Sequence, residues 1–313
     1  MKTTIMYETL TAPIKCTSQV IEAITVGREP GAIALHPKLP VAYVCNTEGR
    51  SLSIIDLHLH RVSAVIPLPI RPMAIVIENS GVTAYITGLD QPLILAIDTR
   101  RQRIRQTISA AQGHSLVLSA DGARLFVHSN SHVNGHIHEI DTANAKVVAC
   151  VDTGPFTSGA ALSADGRLYY CDYIHHELRF LNTRNAETQS VLTLPNSFEE
   201  VTLSPDNQLA YVPYRNADSS TAVIDLGVGK LIDLIPTAQL PHGFVVSADG
   251  RLACCCSAGE RTVSIIDTVS RRSIHTFTAG EYPQSPVFSR DRQKLYVCDS
   301  SADAIWVFAL QAD

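Results

Sequence analysis

Ser53-Ile54-Ile55-Asp56, Leu95-Ala96-Ile97-Asp98, His138-Glu139-Ile140-Asp141, Ala222-Val223-Ile224-Asp225 and Ser264-Ile265-Ile266-Asp267 repeat one pattern, an apolar run closed by an aspartate. Asn182 and Ala309 hold the same place in two degenerate copies, so the anchors fall at 56, 98, 141, 182, 225, 267 and 309, spaced 41 to 43 residues apart. A fixed period of this length belongs to a repeat architecture, in which each copy is one supersecondary unit that buries its faces against the next.

Working outward from an anchor, each unit reads as four short strands. A Gly or Pro turn such as Gly27-Arg28-Glu29-Pro30 leads into strand a, Ala32 to Leu35. A tight turn of the type Ser119-Ala120-Asp121-Gly122 or Ser247-Ala248-Asp249-Gly250 reverses the chain. Strand b follows as Ala42-Tyr43-Val44-Cys45, then a polar loop, the anchored strand c, and strand d. Four strands every 40 to 45 residues is the signature of a propeller. The predicted fold is therefore all-β, a seven-bladed β-propeller of four-stranded antiparallel blades. After the last anchor only Leu310 to Asp313 remain, too few for an outer strand, while an orphan strand stands at Gln19 to Thr25. That strand is expected to complete the last blade and close the ring, leaving residues 1–18 as an extension and 19–313 as one domain.

The units resemble the YVTN β-propeller repeat family. Its namesake run stands here as Tyr43-Val44-Cys45-Asn46 and Tyr296-Val297-Cys298-Asp299, with the Gly-x-x-Pro turn, the Ser-x-Asp-Gly turn and the Ile-Asp anchor around it. The resemblance spans residues 19 to 310 and implies the propeller fold. Relatives with this repeat include surface-layer proteins, lactonases, a lyase and quinone- or haem-associated proteins, so the scaffold implies no single chemistry.

The chain is 45% hydrophobic and 18% charged with a formal net charge of −5. This composition suits a soluble globular protein and supplies no general attraction to nucleic acid or anionic lipid. No stretch approaches the roughly 18 apolar residues of a membrane helix, and the first residues lack the apolar core of a signal peptide, which places the expectation in the cytoplasm. Of the eight cysteines, Cys45, Cys171, Cys256 and Cys298 share one repeat position, where the other blades carry Thr87, His128 and Pro213. A ring holds equivalent positions apart, so these are expected to be buried thiols rather than disulfides.

In a propeller the d-to-a and b-to-c loops open on one face of the channel, and the polar departures from the repeat fall there. The second residue after the Gly/Pro position runs Ala32, Ala74, Ser115, Gly159, Glu200, Gly243 and Ser285. Six are tiny and one is a carboxylate, which there needs a partner or a raised pKa. The preceding position runs Gly31, Met73, His114, Ser158, Glu199, His242 and Gln284. The channel mouth is thus expected to gather His114, His242, Glu199 and Glu200.

Three readings of that set stay open. His114, His242 and Glu200 could ligate a divalent zinc, iron or manganese ion, the same residues could perform metal-free acid–base catalysis, or they could plug the channel as a structural network. A catalytic Glu200 predicts that Glu200→Gln abolishes activity with little change in melting. The b-to-c loops of blades 3 to 5 are read as a rim for a small aromatic or anionic substrate, with His132, His136, Tyr173, His175, His176, Tyr214 and Arg215, joined by Arg28 and Arg71 from the d-to-a turns. The chain contains no Gly-x-Ser-x-Gly elbow, phosphate-binding loop, His-Glu-x-x-His or Cys-x-x-Cys-His motif. The expected function is an enzyme of lyase, isomerase or hydrolase type acting on a small molecule, with a scaffold for a protein partner as the alternative.

Overall fold

A computed structural model describes residues 16–110, 112–129, 133–214 and 219–312. The described residues form seven four-stranded antiparallel sheets. Blades 1 to 6 occupy residues 30–67, 72–109, 115–154, 157–193, 202–236 and 241–278, and blade 7 combines 283–312 with the first strand, Cys16–Thr25.

The turn chemistry explains the repeat. In blades 3 to 7 the hydroxyls of Ser119, Ser163, Ser204, Ser247 and Ser289 donate to the aspartate two residues on, 2.5–2.7 Å away. Four of those hydroxyls, of Ser119, Ser204, Ser247 and Ser289, also accept the backbone N–H five residues on, that of Arg124, Leu209, Leu252 and Lys294, which pins the a-to-b hairpin. The aspartate anchor caps the c-to-d hairpin: the Asp56 carboxylate accepts the N–H groups of His58 and Leu59, and Asp225 those of Gly227 and Val228. Ala309 breaks the pattern for a physical reason. No c-to-d hairpin follows it, because the partner strand arrives from the other end of the chain.

That partner strand closes the ring as expected. Cys16–Thr25 pairs antiparallel with Ala304–Ala312, from Cys16 opposite Ala312 to Thr25 opposite Ala304, with a bulge at Val20/Glu22. It begins three residues before the expected Gln19; residues 1–15 of the expected extension lie outside the described residues.

Each blade buries both faces against its neighbours. The buried apolar residues fall into seven clusters, one for each junction between adjacent blades. Among the described residues the junction of blades 3 and 4 is the sparsest in buried apolar side chains, with Phe126, Ile137, Leu168, Tyr170 and Leu181. The cysteines are all unpaired, and Cys45, Cys171, Cys256 and Cys298 are each fully buried. Among the described residues no helix is long and apolar enough to cross a membrane.

Removing the chain up to Thr25 takes buried Ile24 out of the core and leaves the Ala304–Ala312 edge unpaired. A loss of at least about 3 kcal/mol is expected, the cost of losing one large core side chain together with its ladder. Denaturant unfolding measures it, and an unchanged midpoint rules out closure through this strand.

Candidate functional site

The inner strands carry an irregularity that shapes the mouth of the channel. In blades 1, 2, 4, 6 and 7 the a–b register shifts, between Pro30/Ala32, Pro72/Ile75, Ser158/Ala161, Pro241/Phe244 and Gln284/Val287. Three bulged residues take the left-handed backbone conformation, Gly159 (φ 65°), Gly243 (φ 78°) and Ser285 (φ 47°). The run of tiny residues therefore answers to backbone conformation and to the next blade. A Cβ on Gly243 would lie 2.8 Å from Ser285 N and from Pro286 Cδ, too close to be accommodated.

Hydrogen bonds from one blade to the next line this level of the ring. Ser285 Oγ donates to Gly31 O at 2.7 Å, Thr47 Oγ1 to Pro72 O at 2.9 Å, and Ser158 Oγ to Glu199 O at 2.9 Å. Glu200 belongs to this set. Its carboxylate accepts the backbone N–H of Gly243 at 2.9 Å and of Phe244 at 3.1 Å, on the strand of blade 6. The expected partner for the odd carboxylate exists, and it is main chain.

At the junction of blades 3 and 4 the lateral bond is made by His128, which is 1% exposed. A carbonyl can only accept, so Nδ1 carries the hydrogen and donates to Gly159 O at 2.8 Å, and Nε2 accepts from the Thr157 hydroxyl at 3.0 Å. Thr153 and Thr157 share a further hydrogen bond of 2.7 Å. Burial drives the His128 pKa down to about 4, so the ring is neutral at pH 7. The sequence reading treated His128 as one residue of the cysteine series and missed this lock. Its signal was an imidazole where four blades place a thiol.

Above this level opens a cavity of about 420 Å³ at the channel mouth. His114, Glu199, Glu200 and His242 all line it, as the repeat comparison predicts, with Met73, Ser158, Pro213 and Ser285 completing the wall. Burial lowers the His114 pKa, which keeps that imidazole neutral. The His242 ring meets Tyr282 edge-on, with centroids 6.3 Å apart.

The metal reading gains no support here. Among the described residues no group of three or more His, Cys, Asp or Glu side chains is arranged to hold an ion, and the Glu200 carboxylate is committed to blade 6.

The rim fares unevenly. His132 and Arg215 lie outside the described residues. Tyr173 is exposed on its turn, and His175 donates through both its backbone N–H and Nδ1 to the Asp172 carboxylate, at 3.0 and 2.9 Å. His176 takes the left-handed turn position, with φ at 54°. Arg28 is exposed and donates to Glu48 O, while Arg71 pairs with the Glu48 carboxylate, so both are held at blade 1 away from the main cavity. Two residues correct the sequence reading. Tyr214 is fully buried, packed against Phe198 within the junction of blades 4 and 5, with its pKa pushed up to about 12 by that burial. It bridges Phe198 at the end of strand b, so it cannot reach a ligand. His136 belongs to strand c of blade 3 (Gly135–Asp141), opposite Asp152, and does not line the cavity.

The fold and this opening define a seven-bladed β-propeller with a polar cavity at the channel mouth. No family model matches the chain. It is similar to the uncharacterized protein YncE of Salmonella typhimurium and of Salmonella typhi, at 23% identity in both cases, over 75% of this chain and 70% of each of those proteins. Among solved structures, the Kuenenia stuttgartiensis hydrazine synthase superposes with a TM-score of 0.79 at 17% identity, covering 90% of this chain and 95% of that one. At that identity the likeness is one of fold alone.

Two outcomes follow from this geometry. Glu200→Gln keeps only one acceptor oxygen for two buried N–H donors, so it is expected to destabilise the protein by about 1.5–3 kcal/mol, in place of the small change a catalytic role predicts. An unchanged unfolding midpoint would falsify the bracing role. Because the folded-state pKa of His128 is depressed below the ordinary 6.5 to about 4, the unfolded chain binds the extra proton between those values. Stability is full above pH 6.5 and is expected to fall by about 3 kcal/mol by pH 4, and His128→Cys should remove that slope. Denaturation curves across this pH range decide it; an identical slope in the variant rules His128 out as the source.

Proposed function

We propose that the protein binds a small polar molecule in the channel-mouth cavity and acts on it by acid–base chemistry of lyase, isomerase or hydrolase type. The observation that carries this reading is the convergence of His114, Glu199 and His242, from blades 3, 5 and 6, on one cavity of about 420 Å³, a size typical of small-ligand sites. In the reading, neutral His114 is the proton acceptor, and Glu199 and His242 position the ligand and return the proton. Glu200 is a positioning residue: by holding Gly243 and Phe244 it fixes the strand that presents His242. No step is assigned to a metal, in line with the donor geometry.

A panel of hydroxy acids, lactones and small phenols, screened by calorimetry and for turnover, tests the proposal. A compound bound by the wild type is expected to lose at least tenfold in affinity with His114→Ala or His242→Ala. Any turnover should fall by about 100-fold or more with His114→Ala. A binder indifferent to both substitutions would sink the reading. If nothing in the panel binds, the scaffold alternative takes its place. That alternative draws on the exposed Val133, Tyr173 and Ile174, 76%, 40% and 47% exposed, on loops of adjacent blades.

A further inference from the structure

The two outer strands of blade 3, Gly135–Asp141 and Lys146–Gly154, bring four metal-ligating side chains to one face. His136 stands opposite Asp152 and His138 opposite Cys150. Directly opposed residues of an antiparallel pair project to the same side, and so do residues two apart on one strand. The four therefore occupy the corners of one patch, between register shifts at Gly135/His136 and Glu139/Ile140.

The contacts agree with the register. Cys150 Sγ lies 3.4 Å from His138 Nε2, and the His136 and His138 rings are 6.0 Å apart between centroids. Cys150 and Asp152 are exposed, so the patch is open to solvent, and Cys150 is the one exposed cysteine of the chain. His138 Nδ1 is buried with no hydrogen-bond partner, which leaves Nε2, the atom facing the thiol, as the nitrogen available to a ligand.

We propose that His138, Cys150, His136 and Asp152 form a binding site for a zinc-class divalent cation on the outer edge of blade 3. Zinc takes Cys sulfur at about 2.3 Å and His nitrogen at about 2.0–2.1 Å in a tetrahedral arrangement, which sets the N···S edge at roughly 3.5 Å. The His138–Cys150 pair already has that edge. The three-donor convergence is not formed in the present rotamers. In the proposal His136 turns about χ1 and χ2 to supply a third donor, and Asp152, whose Oδ1 accepts the Gly154 N–H at 2.8 Å, supplies the fourth through its other carboxylate oxygen. On binding, the Cys150 thiol releases its proton to solvent and the thiolate is held by the ion. Burial and the neighbouring Asp152 raise the Cys150 pKa, and burial with His136 lowers that of His138. Cation charge offsets the first, and the second keeps His138 in its neutral, ligating form. The ion would staple the outermost strand to strand c beside the sparsest junction of the ring.

The test uses the full chain, freed of metal by a chelator, and cobalt(II) as the spectroscopic probe. Stoichiometric cobalt is expected to produce a thiolate-to-cobalt charge-transfer band that zinc bleaches. Cys150→Ser should abolish the band, His138→Ala should weaken cobalt binding at least tenfold, and His136→Ala should weaken it less. Zinc should raise the melting temperature of the wild type and leave that of Cys150→Ser unmoved, the metal-free melting of each variant confirming its fold. Absence of the band in the wild type, or its persistence in Cys150→Ser, overturns the proposal.

Discussion

The structure depends on one constraint: every blade has two apolar faces and each needs a neighbour. No blade can bury its faces alone, and an open row would leave two faces in water. The seven core clusters, one at each junction, are the consequence, and the pairing of Cys16–Thr25 with Ala304–Ala312 makes the row a circle. The hydrogen bonds that close the ring join residues nearly the whole chain apart in sequence, so closure couples the cores on either side of it.

Within the circle, apolar packing and polar bonding divide the work by depth. The middle strands are almost uniformly buried and carry the cores, while at the innermost strand the blades meet through main chain and short side chains. Around the mouth Ser285 and Ser158 from the innermost strand, Glu200 from the segment leading into it, and His128 and Thr47 from the end of strand b each reach across to the backbone of the next blade. Fixed backbone around the mouth gives a preorganised wall, a condition for binding or chemistry that loops alone meet poorly. The junction with the fewest buried apolar residues is also the one braced by the buried His128, so a polar lock stands where hydrophobic contact is thinnest.

The same terminal position of strand b shows how one repeat position serves different ends. In blade 1 Asn46 accepts from Gly27 N and donates to Ser51 and Ser53. In blade 7 the Asp299 carboxylate takes the N–H groups of Glu281 and Tyr282 and the Trp306 indole. In blade 4 Asp172 orients His175 at the surface. The final residue of the Tyr-Val-Cys-Asn/Asp run is thus a polar clasp that holds the mouth loops onto the sheet. Blade 5 puts Tyr214 there instead and buries it. Likeness of fold to a hydrazine synthase and to uncharacterized relatives leaves the chemistry to such local departures.

Blade number, strand order and hairpin chemistry were legible in the chain alone, because each depends on interactions local in sequence and repeated at a constant period; ring closure was legible by count, since one copy lacks its outer strand and one strand, Cys16–Thr25, stands outside the repeats. The aspartate anchor caps a turn two or three residues away, and the serine of each tight turn bonds within five, so the pattern survives without knowledge of the neighbours. The membership of the mouth cavity was also legible, since the repeat aligns His114, Glu199 and His242 at one height of the ring. What each side chain does there was decided by tertiary structure. Glu199 lines the cavity and its neighbour Glu200 braces blade 6, Tyr214 turns into a core, and His136 joins the outer edge of its blade. These outcomes hinge on bulges, register and the approach of a strand about 43 residues away, and a shift of one residue sends a side chain to the opposite face.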